Sequence, residues 1–251
     1  MYKKITGIDS VLPNLLDLVG LKVATTSKIE PVASELPWLF SDLMKFVNQS
    51  KYQRVDNKGK VVLVETMRVG LNFFGIENLI IVPTSLAFKR SLPQITEPYP
   101  MIKLRIWEDA LAVAISCKQI ASLIGVNQNH AFCLGMIQAV GKVVLSKLYF
   151  RLFETVLREA LVETQDSQKH EEHSALIRTT PSDPFLNHLI DKYALGVSDR
   201  LIDKMAMKRV FIANAKFEVA NNKPGADISP LALVLMQGKA YAQCPIPNTE
   251  Y

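Results

Sequence analysis

The sequence predicts an all-α protein, a two-lobed helical bundle, on the basis of three observations. Apolar residues recur at three- and four-residue spacing along much of the 251-residue chain, which is the helical period. Hydrophobic residues make up 49% of the chain and charged residues 21%, so it can bury a substantial core. The β-branched run Leu79–Val82 has no alternating partner segment or hairpin signal nearby, so we expect it to be helical as well.

The first lobe is predicted to begin with two helices. Apolar residues of Pro31–Asn48 fall on one broad face, and Pro37 lies inside this segment. Because proline removes a backbone donor and disfavours helix in the residue before it, we expect two helices that meet near Pro37. Lys51–Lys60 is predicted to be a polar turn. Val61–Val69 and Ile76–Ser91 are expected to form two further helices.

A proline-rich segment is the predicted boundary between the lobes. Leu92–Met101 contains Pro93, Pro98 and Pro100, and such a segment cannot continue a helix. The expected organisation is an N-terminal lobe at 1–92, a connection at 93–101, a second lobe at 102–243 and a tail at 244–251.

The second lobe is predicted to contain long helices with clear ends. Ile102–Gly125 repeats apolar residues at helical spacing, and Gly125 is a natural stop. Asn127–Asn129 supplies capping side chains for a single helix over Asn129–Ser146. The remaining expected helices are Lys147–Glu163, Phe185–Leu195, Gly196–Lys223 and Pro230–Gln243.

The net charge and the cysteine content limit the binding partners and the cellular compartment that can be expected for the protein. The net charge is +5, but the densest basic groups, such as Lys89–Arg90, are scattered and are expected to be ordinary solvated positions. Cys117, Cys133 and Cys244 have no CxxC spacing and favour a reducing cytoplasm. No continuous apolar run approaches the roughly 20 residues that span a bilayer, so no membrane association is expected.

Few residue patterns in the chain favour catalysis. There is no GxSxG elbow, phosphate-binding glycine loop or dinucleotide fingerprint. His170 and His173, in the sequence HEEH, could bind zinc with Glu171 or Glu172, but HEEH lacks the HExxH spacing and is expected to be an exposed polar face. His130 and His188 are weak ligand candidates. Cys117 and Cys133 fall on apolar helix faces, where an inert packed thiol is expected.

Four segments carry a recognisable combination of motifs. Leu36–Asn48 is an apolar helix that closes on an asparagine, which Gln49 follows. Glu65–Phe88 contains a short apolar helix, Ile106–Ala114 contains Trp-Glu-Asp, and Ala131–Leu145 reads AFCLGMIQAVGKVVL. In order and spacing these segments resemble the HDOD domain, a bacterial relative of the HD and HD-GYP metal-dependent phosphohydrolases, over about residues 29–242. The resemblance implies an HD-like second lobe, and it implies a serine where Gln49 stands.

The departures from the family pattern concern its metal ligands. Asp109 stands where the resemblance implies a histidine, and Gln138 and Ala139 stand where it implies the adjacent His and Asp. Gln138 offers a neutral amide oxygen and Ala139 offers no donor. The remnant pocket is therefore predicted to consist of Trp107, Asp109, Gln138 and Lys142, with no metal and no cofactor. Gln138 and Lys142 are four residues apart, which places them on one face of the expected helix. Lys142 could equally be a solvated surface lysine.

The predicted function is that of a non-catalytic signalling or regulatory protein. It is expected to bind a partner protein or a small ligand through the second-lobe cleft or the interface between lobes. Two alternatives remain open. One is a metal-dependent phosphohydrolase acting on a nucleotide or phosphate ester, with Asp109 and some of His170, His173, Asp183 and His188 as ligands. The other is a basic helical module that binds nucleic acid.

Overall fold

The computed structural model describes residues 11, 18, 21, 23–52, 54–75, 78–93, 100–163, 183–204 and 228–243. Several sequence-based expectations lie outside these residues: the HEEH segment with His170 and His173, most of the connection at 93–101, the part of the predicted helix Gly196–Lys223 beyond Lys204, Cys244 and the tail at 244–251. In the described residues the α-helices are α1 Thr26–Ser34, α2 Pro37–Val47, α3 Met67–Phe73, α4 Ile81–Ser91, α5 Pro100–Leu123, α6 Gln128–Ile137, α7 Val140–Glu163, α8 Asp183–Lys204 and α9 Pro230–Gln243. The predicted all-α class is confirmed.

Proline positions determine where two of these helices begin. Helix α1 ends at Ser34, and Pro37 is the first residue of α2, where the missing N–H would have no helical partner in any case. The predicted pair of helices meeting near Pro37 is therefore confirmed. Pro100 in the same way is the first residue of α5.

The predicted helix over Val61–Val69 is wrong. Val61–Val62 instead forms strand β2, which pairs antiparallel with β1, Arg54–Val55. A tight turn joins them, in which Asp56 Oδ1 accepts hydrogen bonds from the backbone N of Lys58 (2.8 Å) and Lys60 (2.9 Å). The valine run favours extended backbone, and helix α3 starts only after Thr66, whose side chain accepts from Val69 N.

An asparagine side chain links this hairpin segment to α2. Asn48 Nδ2 donates to the carbonyl of Val64 at 2.9 Å, and Val64 N donates to Asn48 Oδ1 at 2.9 Å. The amide thus satisfies both backbone groups of one residue, as a neighbouring strand would. Asn48, predicted as the stop of the preceding helix, also fixes the entry to α3.

The helix α5 ends as the sequence predicts. Gly125 has φ +72°, a left-handed conformation that glycine adopts without steric cost. Val126 N then donates to Ala121 O at 3.0 Å. Asn127 caps α6 by accepting a hydrogen bond from His130 N at 3.0 Å, as expected for an asparagine at this position.

The predicted single helix over Asn129–Ser146 is broken in the structure. Helix α6 ends at Ile137 and α7 begins at Val140, which leaves Gln138 and Ala139 between them. The cause is Ser198 on α8, whose hydroxyl accepts from Gly141 N at 2.7 Å and donates to Gln138 O at 3.2 Å. A side chain inserted into the backbone hydrogen-bond ladder interrupts a helix in this way.

Helices α5, α6 and α9 pack together, and α7 packs against α8. The predicted helix over Pro230–Gln243 is confirmed with the same limits. The buried cluster runs from the N-terminal helices through α9 and includes Leu39, Phe88, Phe132 and Leu235. The stretch Gln128–Val156 is long and apolar enough to cross a membrane, but 72% of its most apolar window is buried inside the structure, as in a core helix.

Candidate functional site

The structure brings together two of the four predicted site residues, Asp109 on α5 and Lys142 on α7. Lys142 Nζ lies 3.0 Å from Asp109 Oδ2, with side-chain exposures of 31% and 59% respectively. This is a direct ion pair at the protein surface. Because the pair is solvated, its attraction is screened by water and salt.

Gln138, the third predicted residue, lies in the break between α6 and α7 rather than inside a helix. The helical-face argument for Gln138 and Lys142 therefore does not apply. The carbonyl of Gln138 accepts from Ser198, its side chain is half-buried, and the following Ala139 is fully buried. The position of Gln138 is thus fixed through its backbone.

Trp107, the fourth predicted residue, faces helix α4. Its ring packs against Phe88, with ring centroids 6.4 Å apart, and Lys89 Nζ lies 5.8 Å from its centroid. Residues two apart on a helix point about 200° apart around the axis, so Trp107 and Asp109 present different faces of α5. Trp107 is thus part of the contact between α4 and α5.

The described donors at this position do not make up a divalent-metal site. Asp109 supplies one carboxylate, which is engaged by Lys142, and Gln138 supplies at most an amide oxygen. Within the described ranges no group of three or more His, Cys, Asp or Glu side chains could hold a metal ion. His188 is exposed on α8. Hard divalent cations require several anionic oxygen or imidazole donors, and those present here do not converge.

The described cysteines are packed thiols, which confirms the expectation for Cys117 and Cys133. Both are free and buried. Burial raises the pKa of each thiol to about 12. Cys133 Sγ contacts Thr84 Oγ1 at 3.4 Å, and Cys117 Sγ donates to Val234 O at 3.7 Å. A thiol that stays protonated is a poor nucleophile, so neither is suited to covalent catalysis.

Two cavities lie where α4 meets α5. The larger, about 610 Å³, is a mostly apolar groove between α4, α5 and α6. Its lining residues are Ile81, Ser85, Leu111, Ile115, Lys118, Gln119, Ser122, Leu123, Gln128 and Phe132. Leu123 and Ile115 leave 85% and 44% of their surface exposed there. This groove was not predicted, because its walls come from segments far apart in sequence.

The second cavity, about 330 Å³, lies between α2, α4 and the start of α5 and is here called the basic pocket. Its lining residues are Asp42, Lys45, Phe46, Gln49, Leu86, Lys89, Arg90 and Lys103. The sequence shows Lys89–Arg90 as a basic pair, which by itself predicts solvated surface. Only the fold shows that Lys45 and Lys103 join it.

Comparison with known proteins agrees with this architecture. The HDOD domain family profile matches residues 7–180. An HDOD domain protein of unknown function from Geobacter sulfurreducens is 13% identical, with a TM-score of 0.51 over 96% of this chain and 76% of that chain. A candidate phosphohydrolase from Shewanella amazonensis is 18% identical, with a TM-score of 0.49 over 93% of this chain and 75% of that one.

A response regulator, MmoQ of Methylococcus capsulatus, is 16% identical with a TM-score of 0.36, covering 93% of this chain and 84% of that chain. No curated protein matches the chain significantly. At 13% identity and a TM-score of 0.51, the Geobacter structure shows the fold alone. The profile, in contrast, covers more than half of the chain. The chain belongs to the HDOD domain family.

Proposed function

We propose that this chain is a non-catalytic regulatory member of the HDOD family, whose ancestral metal site is lost and which binds a partner protein or a small ligand. The observation that carries the proposal is the ion pair between Asp109 and Lys142 at 3.0 Å. Lys142 already pairs with the carboxylate that a metal would need, and among the described residues no group of three or more His, Cys, Asp or Glu side chains could hold a metal ion.

The arrangement around Gln138 supports the same proposal. Ala139 is buried and has no donor atom, while Ser198 and Gly141 fix the backbone on either side of it. These contacts stabilise the junction of α6, α7 and α8 without any ionisable group. The junction therefore keeps a packing role that does not depend on metal.

The two cavities indicate where binding would take place. Both are lined by α4, from the predicted first lobe, and by α5, from the predicted second lobe. Ligand sites commonly occur at such junctions. The lobe interface is therefore a better supported binding region than the surface around the exposed Asp109–Lys142 pair.

Metal analysis of the purified protein, combined with a hydrolysis screen on phosphodiesters and nucleotides, tests the proposal. We expect substoichiometric metal and no turnover, in the original protein and in Asp109→Ala and Gln138→Ala. Asp191→Ala, which removes an exposed carboxylate on α8, is the matched control. Stoichiometric metal that is lost in Asp109→Ala or Gln138→Ala, but kept in Asp191→Ala, would establish the phosphohydrolase alternative and overturn this proposal.

A further inference from the structure

We infer that the basic pocket is a binding site for a small phosphate-bearing anion. This inference deepens the proposed function by assigning a chemical class to its ligand, and it rests on that proposal only for the ligand's regulatory role. The pocket is distinct from the Asp109–Lys142 pair, since neither of those residues lines it.

The side chains that line the pocket carry a strong excess of positive charge. Lys45 comes from α2, Lys89 and Arg90 from α4, and Lys103 from α5. Asp42 is the only carboxylate among its described lining residues, and it lies 3.4 Å from Arg90. Four cations against one anion leave three uncompensated positive charges around one small concavity, and a concave surface of one sign concentrates counter-ions of the other.

Neighbouring aromatic rings help to hold two of these cations at the pocket. The Arg90 guanidinium lies 5.6 Å from the centroid of Trp38, and Lys89 Nζ lies 5.8 Å from that of Trp107. Cation–π contacts of this kind restrict long side chains without neutralising their charge. The cations therefore remain able to donate hydrogen bonds to an anion.

Size and donor chemistry favour a phosphate group on a small molecule. The volume of about 330 Å³ is at the lower end of the roughly 300–1,000 Å³ typical of ligand pockets. Lysine ammonium and arginine guanidinium groups are the donors that most often recognise phosphate oxygens. Because the pocket is a concavity and not a long stripe, a compact anion fits it better than a nucleic acid strand does.

Calorimetric titration of the full chain with pyrophosphate, a sugar phosphate, a nucleoside monophosphate and the uncharged nucleoside tests this inference. We expect the phosphate-bearing probes to bind, more weakly as salt rises, and the uncharged nucleoside not to bind. Comparison of pyrophosphate with the two esters shows whether the organic part contributes. The chain has two tryptophans, Trp38 and Trp107, so a change in tryptophan fluorescence provides a second readout at the pocket.

Substitutions distinguish this site from a general effect of the net charge. Lys89→Glu and Lys103→Glu are each expected to weaken binding about tenfold or more, as for the loss of a charge-assisted hydrogen bond. Lys192→Glu, at an exposed position of α8, makes the same charge change away from the pocket and should leave affinity within about twofold, because distant surface charges are screened. Asp42→Asn removes the opposing carboxylate and should tighten binding, a gain that misfolding cannot produce.

A short oligonucleotide is titrated in parallel. Three results would overturn the inference: no binding of any of the small phosphate probes, equal weakening by Lys192→Glu and Lys89→Glu, or binding of the oligonucleotide alone. Phosphorus NMR of the same mixtures shows whether the ligand is recovered unchanged. Hydrolysis with binding retained would contradict the non-catalytic proposal while leaving the phosphate site intact. Absence of binding without hydrolysis would contradict only the phosphate site.

Discussion

Gly141 lies directly against the backbone carbonyl of Ala194, so that no side chain separates α7 from α8 at this point. A Cβ atom built on Gly141 would overlap Ala194 O and would lie 2.5 Å from Ser198 Oγ. The obstacle on one side is backbone, which cannot rotate out of the way. The glycine of the Gly-Lys step in the sequence is therefore required by helix packing.

Gly141→Ala is expected to destabilise the protein by about 2 kcal/mol or more, because the clash forces α7 and α8 apart. Chemical denaturation, monitored by circular dichroism, measures the change in the free energy of unfolding. Gly196→Ala is the matched control, since a Cβ there meets nothing within 4 Å. Because alanine has a higher helix propensity than glycine, Gly196→Ala should stabilise the protein by about 0.5–1 kcal/mol. Equal effects of the two substitutions would contradict the packing argument.

Ser198→Ala is expected to cost about 1–3 kcal/mol, because it leaves the buried N–H of Gly141 and the carbonyl of Gln138 without their hydroxyl partner. Both hydrogen bonds are lost because Ser198 Oγ takes part in each of them. Gln138→Ala should have a much smaller effect, since the carbonyl that accepts from Ser198 is retained. Thermal unfolding of the two variants checks this difference, and a larger loss in Gln138→Ala would show that the side chain matters more than the backbone.

The helical fold was predictable because its signals are local. Apolar spacing, Pro37, Gly125 and Asn127 each act on the nearest turn of chain, and the structure agrees with all three positions. Two errors involve a distant residue that acts on the local structure. A further one is the separation of Phe185–Leu195 from Gly196–Lys223, since α8 continues through Gly196 to Lys204. Helix was predicted through Val61–Val69, but Val61–Val62 pairs with Arg54–Val55, and the side chain of Asn48 hydrogen-bonds both backbone groups of Val64.

The candidate site shows the same limit. The break at Gln138 depends on Ser198, which lies 60 residues further along the chain, and no local pattern near Gln138 indicates it. The basic pocket assembles charges from three helices, of which only Lys89–Arg90 is adjacent in sequence. Asp109 and Lys142 are 33 residues apart. The sequence placed them in one predicted pocket but did not predict the ion pair between them.

Removal of the Asp109–Lys142 ion pair is expected to change stability only slightly, by less than about 1 kcal/mol, because both groups are partly solvated. A double-mutant cycle with Asp109→Asn and Lys142→Met measures their coupling free energy. The coupling should be small and should fall further as salt increases. A large, salt-independent coupling would indicate that the two groups belong to a buried polar site, contrary to their exposure.

The thiols of Cys117 and Cys133 should react with alkylating reagents only after unfolding. Burial raises the pKa of both to about 12 from an ordinary 9.0, so the reactive thiolate is scarce in the folded protein. Alkylation followed by mass spectrometry, in a Cys244→Ser background, should show little labelling of the folded chain near pH 8. Full labelling is expected in denaturant.

The same pKa shifts predict how stability depends on pH. Because the folded pKa of each thiol lies above its unfolded value, the unfolded state loses its proton first as pH rises. The contribution of the two protonated thiols to the free energy of unfolding is therefore fully present below about pH 9. It is lost as pH rises towards 12, in accordance with proton linkage. Denaturation midpoints measured from pH 7 to pH 11 should fall at the alkaline end. Cys117→Ala combined with Cys133→Ala should reduce this fall relative to the Cys244→Ser background, and an unchanged alkaline slope would contradict the assignment to these thiols.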